Sequence, residues 1–199
     1  MTALPQRQPI SVEEYLAGEL DSEVRHEFVD GYVYAMAGAR NQHNIIATNL
    51  LASLHSQLRG QPCQPFNSDT KARIQLPHST RFYYPDCMVI CQETDRDESY
   101  QDFPVVIAEV ISEKTRRVDE EIKRDNYLAM PTVRVYLLVE QNEPRVVAYR
   151  RGETGFAREF YEGLSAVIPL AEVEVELPLA ELYERIDFSD PDLPDDEDR

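Results

Sequence analysis

The sequence predicts an α/β (α+β) fold in a single domain over residues 1–186. Three observations carry that expectation. Residues 42–58 hold an apolar stripe at helical spacing, residues 104–111 form a nearly continuous apolar, β-rich run, and short strand signals flank both. A length of 199 residues fits one domain with a real core.

The elements follow in order. Ser11-Val-Glu-Glu14 is a capping box, so a short helix should start near Val12. Asp30-Gly31 lies between two β-rich runs and predicts a hairpin with strands near 25–29 and 32–37. Ile46, Leu50, Leu54 and Leu58 recur every four residues as one helix face, which starts at Arg40 or Asn41 and is ended by Gly60. Strands are expected at 63–67, 69–76, 86–91 and 104–111, with an acidic loop between the last two. Val105-Val-Ile-Ala-Glu-Val-Ile111 has the pattern of a central strand buried on both faces. A helix over 112–130, with Val118 and Ile122 on its buried side, is stopped by Pro131. Strands at 133–139 and 146–149 follow, then edge strands near 156–161 and 173–177 and a helix near 178–186. Residues 187–199 are acidic and proline-bearing and are expected to be a disordered tail.

Composition narrows the function classes. Apolar residues make up 42% and charged residues 29%, as in ordinary globular proteins. No apolar run is long enough to span a bilayer, and Met1 to Pro9 lacks the apolar segment of a signal peptide, so the expected location is cytoplasmic, with no membrane partner. Three cysteines, Cys63, Cys87 and Cys91, argue against a disulfide framework; Cys87 and Cys91 should share one strand face as small core residues. The net charge is −17; the tail's seven acids against one base account for −6, so −11 remains on the rest. That excess argues against tight nonspecific DNA binding, which comes from neutralising phosphates.

One residue breaks the apolar pattern in a way that points to chemistry. Glu109 interrupts the central strand, and a buried carboxylate needs a partner, a metal or a raised pKa. Asp86, after Tyr84-Pro85, opens the strand at 86–91. If 86–91 and 104–111 pair antiparallel, Asp86 and Glu109 lie side by side at one end of the sheet. A divalent cation would relieve their repulsion, and all-oxygen ligands favour Mg²⁺ or Mn²⁺.

The ordered set Ser11-Val-Glu-Glu-Tyr15, Arg25-His-Glu27, Asp30-Gly31, His43-Asn44, Ser68-Asp69, Tyr84-Pro-Asp86, Glu109-Val110 and Ser112 resembles the Uma2 restriction endonuclease family of the PD-(D/E)XK nuclease superfamily. The resemblance covers roughly residues 10 to 150. It implies a restriction-endonuclease-like core, with a mixed central β-sheet flanked by helices. It also implies Asp86 and Glu109 as metal ligands and Glu27 as a third acidic residue near them. The superfamily places a lysine two residues after the glutamate, where this chain has Ile111. The resemblance instead moves that role to Lys123 on the following helix, in line with Asp119 and Tyr127 at i, i+4, i+8; Lys114 is the second choice.

The expected function is therefore a Mg²⁺- or Mn²⁺-dependent endodeoxyribonuclease that hydrolyses phosphodiester bonds in DNA. Asp86, Glu109, Lys123 and Glu27 would be catalytic. His43 and Asn44, at a helix N-terminus, and Arg116, in the basic cluster with Arg117, Lys123 and Arg124, would contact substrate phosphates. Cutting both strands of a duplex makes a homodimer plausible. Blander readings stand beside these: Asp86 as a strand-end residue, Glu109 paired with Arg73 or Arg134, Glu27 as a cross-strand partner of Arg25, Asp69 as structural, and the basic cluster balanced by Asp119, Glu120 and Glu121. The alternative function is a catalytically silent nuclease-fold module that binds protein or nucleic acid, motivated by the acidic charge and the missing strand lysine. A third is hydrolysis of a small phosphoester by the same residues.

Overall fold

The computed structural model describes residues 8–36, 38–93, 95, 97–112 and 116–188. Helix α1 (Val12–Leu20) opens on the full capping box, with Ser11 and Glu14 each satisfying the other's backbone N–H. Strands β1 (His26–Val29) and β2 (Tyr32–Ala35) form the hairpin. Asp30 (φ 53°) and Gly31 (φ 92°) are its two loop residues, both left-handed as a tight hairpin of this type requires. Gly31 is further constrained, since a Cβ there would lie 2.6 Å from that of Pro9. Helix α2 (Asn41–Leu58) buries Ile46, Leu50, Leu54 and Leu58, the face its spacing predicts.

Next come β3 (Gln64–Asn67), β4 (Lys71–Leu76), β5 (Ser79–Tyr83), β6 (Cys87–Ile90), β7 (Tyr100–Gln101) and β8 (Pro104–Ile111). A π-helical segment, Val118–Lys123, runs into helix α3 (Arg124–Ala129). The chain then forms β9 (Val135–Glu140), β10 (Arg145–Gly152), β11 (Gly155–Glu162), β12 (Val167–Leu170), β13 (Val175–Pro178) and the short helix α4 (Leu179–Leu182).

The mixed sheet is real. Six strands run in the order β11-β10-β9-β8-β6-β3, antiparallel throughout except for the parallel pair β8–β9. A second sheet has the order β2-β1-β5-β4-β7, and β12–β13 is a separate two-stranded ribbon. The central strands β6, β8 and β9 of the six-stranded sheet are buried on both faces. Val106, Ala108 and Val110 of β8 face α2, the ribbon and α4, while Ile107 and Ile111 face α3 and the second sheet. Under α1, Tyr15 packs with Phe28 and Phe82 in a smaller aromatic cluster.

Four expectations are corrected. β5, β7 and β12 lack a clean alternating signal and were not expected; β5 instead joins β1 to β4 through backbone pairing. The last helix is one turn, not the whole of 178–186. Val118 and Ile122 are exposed, at 38% and 45%, while Asp119, Lys123, Asn126 and Tyr127 of the same segment are buried. The reason is across the gap: Glu109 faces this segment, so the helix turns its polar stripe inward. Finally, Cys63 and Cys91 form a disulfide. The antiparallel register Gln64↔Ile90 sets these cysteines opposite each other, a pairing no count of cysteines reveals. Cys91 does share the α2 face with Cys87, which stays free and buried, its thiol pushed up to about 12 by burial.

Candidate active site

The site forms where the ends of β6 and β8 meet the segment after β8. The register Cys87↔Ala108 puts Asp86 beside Glu109, as antiparallel pairing predicts. The two are knitted together: the Asp86 N–H points at Glu109 Oε2 (3.4 Å), and Asp86 Oδ2 accepts from the Val110 N–H (2.7 Å). Ile107, Glu109 and Ile111 alternate onto one face of β8, so Glu109 projects into the apolar layer between the sheets, 3% exposed.

Lys123 answers that buried charge. Its ammonium lies 3.3 Å from Glu109 Oε1, 2.9 Å from Glu27 Oε1 and 3.4 Å from Asp119 Oδ1. The Glu27 contact is an ion pair rather than a well-aligned hydrogen bond. The Tyr127 hydroxyl donates to the same Glu109 oxygen at 3.0 Å. Asp119, Lys123 and Tyr127 thus act along one stripe, as their spacing predicts. The π-helical turn that carries the first two is an irregularity common at functional sites. The Tyr83 ring stands under the ammonium, 5.6 Å from its centroid.

Among the described residues the Lys123 ammonium faces an acidic cluster of Glu109, Glu27 and Asp119, with Asp86 beside Glu109, and the electrostatics follow. Burial raises the Glu109 carboxyl well above the usual range; Lys123 opposes the rise, and Asp119, Asp86 and Glu27 add to it. Burial works against the charge on Lys123, but Glu109, Glu27 and Asp119 outweigh it and hold the ammonium well above the ordinary lysine value. Lys123 is therefore a cation at neutral pH, not a base.

His43 also reaches the site. From the first turn of α2 its Nε2 lies 3.2 Å from Asp86 Oδ2. Burial opposes its protonation, yet the hydrogen bond and charge of Asp86, with the Val110 carbonyl, raise its pKa overall. Asn44 is exposed, with its amide 3.5 Å from the Ala39 carbonyl, and it meets the site through a side-chain hydrogen bond to His43. Arg116 is held by Glu140 in a two-pronged pair (2.9 and 2.7 Å) and by Glu120 (2.8 Å). Arg117 pairs with Glu121 and Arg124 with Asp125, so much of the basic cluster is balanced by its own acids. Arg73 is taken by Asp102, and Arg25 by Asp69, which leaves Glu27 to face Lys123. Lys114 lies outside the described residues.

Sequence reasoning missed the scaffold behind the site. Glu19 of α1 accepts from the Tyr84 hydroxyl (2.7 Å) and from the His26 N–H (3.1 Å), fixing the chain two residues before Asp86. Asn126 donates to the Tyr83 hydroxyl (3.0 Å) and accepts from Arg81 (2.6 Å), which in turn grips Asp30 at the hairpin tip (2.9 Å). The sequence sign of these was Asn126, a polar residue four positions beyond Ile122 on the expected buried side of its helix.

The comparisons agree with this architecture. The profile of the Uma2 family, described as "Putative restriction endonuclease", matches residues 12–180. Two uncharacterized proteins of Synechocystis sp. are each 32% identical to the chain, one over 147 residues (73% of this chain, 76% of the relative) and one over 145 residues (71% and 81%). The crystal structure of a "putative nuclease belonging to DUF820" from Anabaena variabilis superposes with a TM-score of 0.67 at 18% identity, covering 88% of this chain and 98% of that one. At that identity the likeness speaks to the fold.

Proposed function

The chain belongs to the Uma2 restriction endonuclease family, and on that premise we propose that it is a metal-dependent endonuclease hydrolysing phosphodiester bonds in DNA. The observation that carries the reading is the meeting of Asp86 and Glu109 with a lysine, Lys123, that reaches back from the segment after β8.

The donor set fits Mg²⁺ or Mn²⁺. Among the described residues no group of three or more His, Cys, Asp or Glu side chains forms a cage for an ion. Mg²⁺ does not need one: it commonly takes one or two carboxylates and leaves its other positions to water and phosphate. Among the described residues both close contacts of Asp86 fall on Oδ2 rather than Oδ1, and Glu109 Oε2 has only the long contact to the Asp86 amide. Among the described residues the carboxylates Glu109, Glu27 and Asp119 outnumber the one ammonium they contact, which gives a cation its reason to bind. When bound, the ion would polarise the scissile phosphate and make water there a stronger acid.

The chain's own groups do the rest. Tyr127 and Lys123 hold Glu109 by Oε1 and so leave Oε2 beside Asp86. Val110 and His43 fix Asp86. The Lys123 ammonium is able to donate to the anionic phosphate oxygen as charge builds in the transition state, with Glu27 and Asp119 keeping it charged and aimed. Cutting both strands of a duplex would need two such sites, which a homodimer would supply.

The test is cleavage of supercoiled plasmid and labelled single-stranded DNA at low salt with Mg²⁺, Mn²⁺ or EDTA. Asp86→Ala and Glu109→Ala should abolish metal-dependent cutting; cutting retained in both would sink the mechanism. A second reading, a silent binding module, is favoured by one observation: Lys123 already supplies a counter-charge to Glu109. Titration calorimetry separates the two, since a module with no need of a cation would bind no Mn²⁺ at millimolar concentration.

A further inference from the structure

The β1–β2 hairpin that carries Glu27 also carries exposed aromatic side chains that the nuclease reading leaves unused. Tyr34 of β2 lies directly opposite Glu27 of β1, and Tyr32 opposite Val29. Directly opposed residues point to the same side of a sheet. Tyr34 and Tyr32 therefore share the face of Glu27, whose carboxylate is 2.9 Å from the Lys123 ammonium. Val33, between them, turns the other way and packs toward α1. Yet Tyr34 is 55% exposed and Tyr32 42% exposed. Ile122, 45% exposed, lies on the segment that carries Lys123. The chain of contacts from Asp30 through Arg81 and Asn126 to the Ile122 carbonyl ties the hairpin to that segment. Two exposed tyrosines thus share the sheet face of Glu27, and an exposed isoleucine sits on the segment that carries Lys123.

Charge argues for what they hold. The chain carries −17 overall, and among the described residues Arg25 is committed to Asp69, Arg81 to Asp30, Arg116 to Glu140, and Lys123 to three carboxylates. Phosphate contacts alone are then a poor source of affinity for a polyanion. Base stacking on an aromatic ring adds affinity that does not come from the phosphates: it tolerates any sequence, but it requires unpaired bases. We propose that Tyr34, with Tyr32 beside it, is a base-stacking platform that selects single-stranded DNA for the site of Glu109 and Lys123. The inference rests on the nuclease reading for its substrate class but is measured through binding, without catalysis.

The chain contains no tryptophan, so Tyr34→Trp introduces a unique reporter on an exposed strand. The probes are a fluorescein-labelled oligothymidylate and a duplex of equal length, in EDTA so that metal-dependent hydrolysis does not consume them. The expected results are quenching of the new indole by the oligothymidylate and not by the duplex, and a rise in Kd of about tenfold for single strands in Tyr34→Leu, with Tyr34→Phe close to the original chain. Equal single-strand affinity in Tyr34→Leu, or tighter binding of the duplex, overturns the platform. So does an absence of oligonucleotide binding together with an oligomer that Tyr34→Leu disperses, which would make the tyrosines a protein contact. Platform binding without cleavage under any metal would instead count against the nuclease reading alone, and cleavage without Tyr34-dependent binding against the platform alone.

Discussion

Replacing Lys123 with methionine keeps most of the side chain's length and removes its charge. In the folded protein this leaves Glu109 (3% exposed), Asp119 (3% exposed) and the facing Glu27 without the ammonium that all three contact. Removing one partner of a buried ion pair typically costs ~3–5 kcal/mol, because the remaining charge must be protonated or left bare. For a chain of this size that corresponds to a fall in Tm of roughly 6–20 °C at neutral pH. The deficit should be pH-dependent. Glu109 already has a raised pKa, from burial first, and loses the opposing Lys123 in the variant, so it takes up a proton more readily still. Protonating the cluster removes the repulsion, and the gap between variant and original should narrow from pH 8 to pH 5. Lys123 has a folded pKa above its unfolded value, so its contribution is complete below the ordinary lysine pKa and is lost only as strongly alkaline pH is reached. The assay is urea unfolding of both proteins across that pH range, with and without Mn²⁺. Mn²⁺ should recover part of the loss, by about 2.7 kcal/mol at a hundred times its Kd. A loss under 1 kcal/mol, constant with pH, would refute the view that Lys123 is the counter-charge of the cluster.

Tyr127→Phe deletes the buried donor to Glu109 and should cost about 1–3 kcal/mol in urea unfolding, because the acceptor is left without water; an unchanged midpoint would remove that bond from the account of the site. For Glu140, burial raises the pKa, but hydrogen bonds and charge from Arg116 and Arg145 outweigh it, so the folded carboxyl titrates below its usual range. Its stabilisation is present above the unfolded glutamate pKa and is lost as pH falls through the lower folded value, so Glu140→Gln should be less stable at pH 7 and flatten the acid limb of the stability curve below about pH 4.3; identical acid limbs would contradict it. The Cys63–Cys91 bond closes a loop with a sequence separation of 28, for which chain entropy gives about 3–4 kcal/mol, so a reductant or Cys91→Ser should lower Tm measurably, and mass spectrometry after thiol alkylation should count one free thiol in the oxidised protein.

The sequence could announce Glu109 because a carboxylate in a run of Val, Ile and Ala is a local contradiction, readable without any partner. It could announce α2, the hairpin and β8 because each signal, a four-residue stripe, a left-handed two-residue turn and an unbroken apolar run, is contained within its own segment. The segment at 118–129 shows where local reading stops. By hydrophobicity, Val118 and Ile122 belong inside; in the folded chain they face outward because Glu109, from another element, makes the polar stripe the buried one. The pairing of Cys63 with Cys91, the handing of Arg73 to Asp102 and of Arg25 to Asp69, and the turning of Glu27 toward Lys123 all have the same character. The sequence by itself determined which groups are costly to bury and must find a partner. Which partner each finds was decided only by strand register and by the packing of the two sheets, since charge and thiol chemistry act over a few ångströms and those distances are set between segments remote along the chain.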